Sequence, residues 1–171
     1  MTDTALETLI EIRPVRQADL PALEWGGRST SLRAAYLRAF EEAEAGQRVL
    51  LAAVCQSILV GQVFVQLHSS EQQFADGATR GYIYALRVRP EWRNRGLGTR
   101  LIDAAESELI RRGFRTAVIA AGKENPDARR LYERLGYRAF AEDPGVWYFT
   151  DVNGVPQSMA EPCWVMEKPL V

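Results

Sequence analysis

The stretch GYIYALRVRPEWRNRGLGTRLIDAAESELIRRG, Gly81 to Gly113, decides how the rest of the chain reads. Gly81 to Val88 is β-prone and stops at Pro90, which cannot donate to a sheet ladder. Leu97, Leu101, Ala105 and Leu109 then fall four apart with Ile102 beside them, while Arg100, Asp103 and Glu106 take other faces, so a helix with one apolar stripe follows and ends at Gly113. Arg93-Asn94-Arg95-Gly96-Leu97-Gly98-Thr99 lies between the two, where unsatisfied amides and the positive helix end favour an anion. The glycines let phosphate oxygens approach the backbone. Arg93 and Arg95 add charge, and Thr99 adds a hydroxyl donor. A dinucleotide fingerprint is excluded because Leu101 stands where its third glycine belongs, and a P-loop because Gly-Lys-Ser/Thr is absent. Without further context, Gly96 and Gly98 equally suit a plain tight turn.

Downstream, Thr116 to Ala121 is short and continuously apolar, as in a strand buried on both faces, and the strand–helix–strand unit reads as a parallel crossover. Asn125-Pro126-Asp127 starts another helix, with Asn as N-cap and Pro at the first position. Ala128, Leu131, Tyr132 and Leu135 form its inner stripe and Gly136 its stop. Tyr137 to Phe140, Val146 to Val152 and Cys163 to Met166 are strand candidates, with Asn153-Gly154 as the turn between the last two. Upstream, Ile10 to Arg13 alternates as an edge strand, Asp19-Leu20-Pro21 starts a helix, and Ser31 to Ala45 is amphipathic. Val49 to Cys55 and Ile58 to Leu67 form a hairpin across Gln56-Ser57, although that turn lacks Asn-Gly or Asp-Gly chemistry.

The chain has 171 residues, of which 47% are hydrophobic, a size and composition suited to a single domain over 1–171. With 21 basic and 22 acidic residues it gives no broad electrostatic reason to bind nucleic acid or an anionic membrane, and the clusters at Arg111, Arg112, Arg115 and Arg129-Arg130 read as solvated helix faces. Cys55, Cys163 and the lone His68 are too scattered for a zinc site. No run of about 18 apolar residues occurs and MTDTALETLIEI lacks the basic start of a leader, so a cytoplasmic setting is the expectation.

Arg93, Gly96 and Gly98 match the Gln/Arg-x-x-Gly-x-Gly/Ala loop of the GCN5-related N-acetyltransferases, and the segment resembles that family. The approach Leu86-Arg87-Val88-Arg89-Pro90-Glu91-Trp92 and the run Asn125 to Tyr137 resemble its neighbouring segments. The likeness is strongest over 81–140, which would form the cofactor-binding core. It implies a mixed, mostly antiparallel twisted sheet of six or seven strands with a splayed parallel central pair, flanked by about four helices. It also implies acetyl-CoA as cofactor, a primary amine on a small molecule or peptide as acceptor, and a homodimer at the level of the family. Pantetheine would pair with the backbone of Leu86 and Val88, and the pyrophosphate would lie on the amides of Arg95, Gly96, Leu97, Gly98 and Thr99. Asn94 would stand at the loop entrance and Asn125 would touch the pantetheine arm.

Tyr132 matches the family's tyrosine near the thioester sulfur, where a phenol of pKa about 10 can protonate a departing thiol. Read without the resemblance, Tyr132 is a core aromatic and Asn125 an N-cap. Many relatives place a carboxylate on the strand before the loop; here that strand reads Ile83-Tyr84-Ala85-Leu86, with no acid. Tyr84, Glu24, Glu71 and Asp76 are alternative contributors, and none is assigned as base. The oxyanion would meet a backbone amide of Val88 or Leu86. Cys55 and Cys163 sit in apolar contexts and read as packing residues, so direct attack in a ternary complex is the expected mechanism. Trp25, in Trp25-Gly26-Gly27-Arg28, and Trp147, in Trp147-Tyr148-Phe149, would line the acceptor cleft with Tyr84; read without the resemblance, these aromatics pack a sheet face. The alternative is a non-catalytic acyl-CoA-binding or regulatory module on the same fold.

Overall fold

A computed structural model describes residues 9–25, 29–151 and 153–171; Gly26, Gly27, Arg28 and Val152 of the expected elements lie outside the described residues. Seven strands form one sheet: β1 (Ile10–Pro14), β2 (Arg48–Cys55), β3 (Ile58–Gln66), β4 (Arg80–Val88), β5 (Thr116–Gly122), β6 (Arg138–Asp143) and β9 (Cys163–Pro169), in the order β1-β2-β3-β4-β5-β9-β6. Two further strands, β7 (Val146–Thr150) and β8 (Pro156–Ala160), make a separate antiparallel hairpin. Among the described residues there are three α-helices, α1 (Ser29–Glu44), α2 (Leu97–Arg111) and α3 (Pro126–Arg134), and two 3-10 helices, at Gln17–Glu24 and Pro90–Trp92. This is the mixed, mostly antiparallel sheet expected, with β4 and β5 as its parallel pair.

The apolar stripe of α2 is buried as its spacing requires: Leu97, Leu101, Ile102, Ala105 and Leu109 pack with Val63, Val65, Ile83, Ala117 and Ile119 on one sheet face. Each buried leucine, isoleucine or valine among them contributes about 1.5–3 kcal/mol. On the other face, Tyr36 and Ala39 of α1 and Leu23 of the 3-10 helix cover Leu50, Ala52 and Phe64. The sheet is therefore sandwiched, and its two cores are separate.

Two of the expected turns are informative, one that forms as read and one that does not. The Gln56-Ser57 turn forms despite lacking glycine, with φ of 47° and 70°, because the flanking strands are pinned by burial and the twist requires both positive angles. Asn153-Gly154 does not join the last two expected strands. It turns β7 into β8, whose PQSMA sequence is exposed throughout and begins with proline, so no alternation marked it as a strand. The final strand instead inserts between β5 and β6.

Candidate active site

Parallel pairing of β4 with β5 runs from Arg80↔Thr116 to Ile83↔Ile119 and then ends. One residue further, β4 carries an extra residue against β3: Phe64 faces Tyr84, yet Gln62 faces Arg87. Ala85 takes φ 52° inside this bulge. The bulge re-aims the backbone just where β5 departs, and a cavity of about 180 Å³ opens between the strands, lined by Tyr82, Ile83, Tyr84, Ala85, Leu86, Ile119, Ala120 and Tyr132. A sheet that splays in its middle leaves ladder groups without strand partners, which a ligand with its own amides can satisfy.

The loop before α2 supplies the second component. Gly96 is the N-cap of α2 at φ 77° and Asn94 stands at φ 59°, so the chain turns twice through the left-handed region while entering the helix. The first helical bond is donated by Arg100 to the Gly96 carbonyl, which leaves the amides of Leu97, Gly98 and Thr99 pointing out of the helix start. A Cβ on Gly98 would meet Leu131 of α3 at 3.7 Å, an ordinary contact, so α3 lies against the start of α2 at this point. These residues fit a diphosphate: converging amides, a helix N-terminus, and nearby guanidinium groups. Arg93 is turned back, its Nε donating to the Val88 carbonyl at 3.0 Å, so it anchors the loop to β4. The Arg95 guanidinium lies 5.6 Å from the Trp92 ring centroid.

Asn125 caps α3, accepting the Ala128 amide on its Oδ1 at 3.1 Å. The N-cap role is real, and the side-chain NH₂ is left for a second partner. Tyr132 unites both of its readings: it is 7% exposed within the α2-side core, and it also lines the cavity. Burial pushes its phenol up to about 12.

Other expected contributors are placed elsewhere. Glu24 is engaged bidentately by Arg33, at 2.6 and 3.0 Å. Asp76 accepts three backbone amides and the Thr79 hydroxyl, which together outweigh its desolvation and hold its pKa well below the usual carboxylate range. Glu71 sits exposed in the same loop. None of the cavity's lining residues is an acid. Trp25 does not line the cavity: Arg87 stacks over its indole at 4.0 Å from the centroid, and its Nε1 is buried without a partner. Trp147 is half-buried on β7, 5.0 Å from Phe149, on the hairpin that comes against α1. Tyr84 does line the cavity, and so does Tyr82, which the sequence reading passed over. The two rings stack at 5.6 Å with planes 12° apart. Period-two alternation in β4 was the available signal for Tyr82.

Comparison with known proteins defines the class. The model of the Acetyltransferase (GNAT) family matches residues 14–137, and the chain belongs to this family. Its fold is shared by Arabidopsis thaliana NAA60 in complex with acetyl-CoA, at 21% identity and TM-score 0.73 over 94% of this chain and 98% of that one. The ribosomal-protein-S18-alanine N-acetyltransferase from Escherichia coli matches at 19% identity and TM-score 0.68, covering 94% of each chain. Arabidopsis thaliana Naa50 in complex with the bisubstrate analogue CoA-Ac-MVNAL matches at 20% identity and TM-score 0.65, over 94% and 98%. Among the described residues, no group of three or more His, Cys, Asp or Glu could hold a metal ion, and no helix is long and apolar enough to cross a membrane.

Proposed function

We propose that this chain is an acetyl-CoA-dependent N-acetyltransferase that acylates a primary amine by direct attack in a ternary complex. The observation that carries the reading is the pairing of two structures: a cavity where β4 and β5 part at the Ala85 bulge, and an amide-lined helix start joined to it through α3, whose Leu131 lies against Gly98 while Tyr132 lines the cavity. Asn94, Arg95, Gly96, Leu97, Gly98 and Thr99 would hold the pyrophosphate, the backbone of Leu86 and Val88 the pantetheine, and Asn125 its arm. When bound, acetyl-CoA supplies an activated acyl group. The chain orients it in the splay, excludes water with Ile83, Ile119 and Leu86, and holds a proton on Tyr132. Cys163, buried and with its thiol pKa raised chiefly by that burial, is a poor covalent acceptor, which favours direct transfer.

The acceptor is a small-molecule or peptide amine. A peptide or protein amine is supported by the bisubstrate analogue CoA-Ac-MVNAL in the Naa50 complex and by the alanine that the Escherichia coli protein's name carries. A second reading, an acyl-CoA-binding regulatory module, is favoured by one observation: no carboxylate lines the cavity. Thiol release from acetyl-CoA across a panel of amines and peptides, run beside calorimetric titration with coenzyme A, separates the two. Release with at least one acceptor is expected. Coenzyme A binding without release on any acceptor would establish the regulatory module.

A further inference from the structure

The two faces of the sheet divide the cavity's approaches. The amide-lined helix start and Tyr132 belong to the face that carries α2 and α3, so a donor held there occupies that side. An amine must then arrive from the α1 face. Tyr84 projects there, packed edge-on against Phe64 at 5.7 Å and stacked on Tyr82, so its ring plane is fixed on two sides. Ring packing alone leaves the hydroxyl free to choose its hydrogen-bond direction. Arg48, the first residue of β2, removes that freedom: its guanidinium donates to the Tyr84 oxygen through Nη1 and to the Glu42 carboxylate through Nε. Glu42 comes from the end of α1, Arg48 from β2 and Tyr84 from β4, so a relay across three elements ends on one hydroxyl.

Taking the transferase reading as given, we propose that Arg48 is a positioning residue for acyl transfer, fixing the Tyr84 hydroxyl at the amine's side of the cavity while Glu42 fixes Arg48. A phenol oxygen that accepts from a cation is a weaker base and a stronger donor. Burial raises the Tyr84 phenol more than the Arg48 guanidinium lowers it, so the group stays protonated at neutral pH. Tyr84 is therefore a hydrogen-bond donor and docking group for the incoming amine, or for a water that bridges to it, and is not the base. Behind Arg48 lies a second, solvent-connected cavity of about 440 Å³ lined by Glu42, Gln47, Arg48, Gln66, His68, Ser69 and Ser70. Tyr84 lines the first cavity and Glu42 and Arg48 the second, so the chain Glu42–Arg48–Tyr84 runs from one to the other, and its one cation is already balanced by Glu42. Arg48 thus acts through Tyr84 and touches no reacting atom.

The test is a double-mutant cycle of Arg48→Met and Tyr84→Phe, using the amine of the panel that the wild type acetylates best. Each single variant is expected to lower kcat roughly ten- to a hundredfold, the loss of one charge-assisted hydrogen bond, with KM for acetyl-CoA unchanged. The double variant should be no worse than the worse single one, because both remove the same contact. In ¹³Cζ-tyrosine-labelled protein, the resonance missing from Tyr84→Phe should be the one that moves in Arg48→Met. Wild-type kcat in Arg48→Met, or losses that multiply in the double variant, overturn the proposal while leaving the transferase reading intact. Absence of turnover by the wild type on the whole panel overturns both. If Arg48→Met does not fold, Glu42→Gln carries the test: a few-fold lower kcat supports the chain, and an unchanged kcat overturns it.

Discussion

Replacing Tyr132 by Phe removes one oxygen from the wall of the cavity and leaves the ring, which packs in the α2-side core and lies 6.2 Å from Tyr137. Because burial holds the phenol near 12, it lies roughly 3.5 pKa units above a thiol of about 8.5, so complete proton transfer to a solvated thiolate is uphill by about 5 kcal/mol. Tyr132 therefore works by hydrogen bonding to the sulfur as charge develops there, which is worth about 1.5–3 kcal/mol for a charged acceptor. The expected result is a fall in kcat of roughly ten- to a hundredfold, with the coenzyme A dissociation constant and the melting temperature near wild type. Thiol release under saturating acetyl-CoA, confirmed as chemistry-limited by single-turnover measurement, is the assay. The pH profile adds a second reading. A phenol at about 12 stays protonated across the working range, so kcat/KM should rise with pH as the substrate amine loses its proton and show no downturn below about pH 11. Unchanged turnover in Tyr132→Phe, or a wild-type downturn near pH 9 to 10 that the variant abolishes, would refute this reasoning.

Three further outcomes follow from the same geometry. Gly98→Trp places an indole at the helix start, against Leu131, and should abolish coenzyme A binding in calorimetry while the circular dichroism spectrum is retained; normal affinity would remove the helix start from the site. Glu106, 9% exposed, accepts the Tyr137 hydroxyl at 2.7 Å and Lys168 Nζ at 3.0 Å, so Glu106→Ala leaves a cation and a phenol unpaired and should cost about 3 kcal/mol in urea unfolding. Asp76 has a depressed pKa in the folded state, so its contribution is full above the unfolded value of about 3.9 and is lost as pH falls through the folded one. Thermal melts of wild type and Asp76→Asn should accordingly differ at pH 7 and converge in acid; a constant gap would contradict the role of the turn.

The segment from Gly81 to Gly113 was legible by itself because its signals are local. A strand ending at Pro90, a four-residue apolar spacing and two glycines at a helix start each act within a turn or two of chain, and the structure keeps all of them. Asn125 as N-cap and the Gln56-Ser57 hairpin were readable for the same reason. Candidate site residues fared differently. Tyr84 and Tyr132 meet at one cavity, whereas Trp25 is committed to Arg87 and Trp147 to the β7–β8 hairpin.

What the sequence determined, then, was most of the elements, though not β8, and the glycine-bearing helix start, since these depend on residue spacing and backbone stereochemistry. The tertiary structure decided where strands stop pairing. The insertion of β9 between β5 and β6, the bulge at Ala85 and the splay beyond Ile83 all arise from register between distant strands, which no local pattern encodes. Glu42, Arg48 and Tyr84 come from three elements and carry no mutual spacing signal; only the tertiary packing links them through Arg48 into one relay.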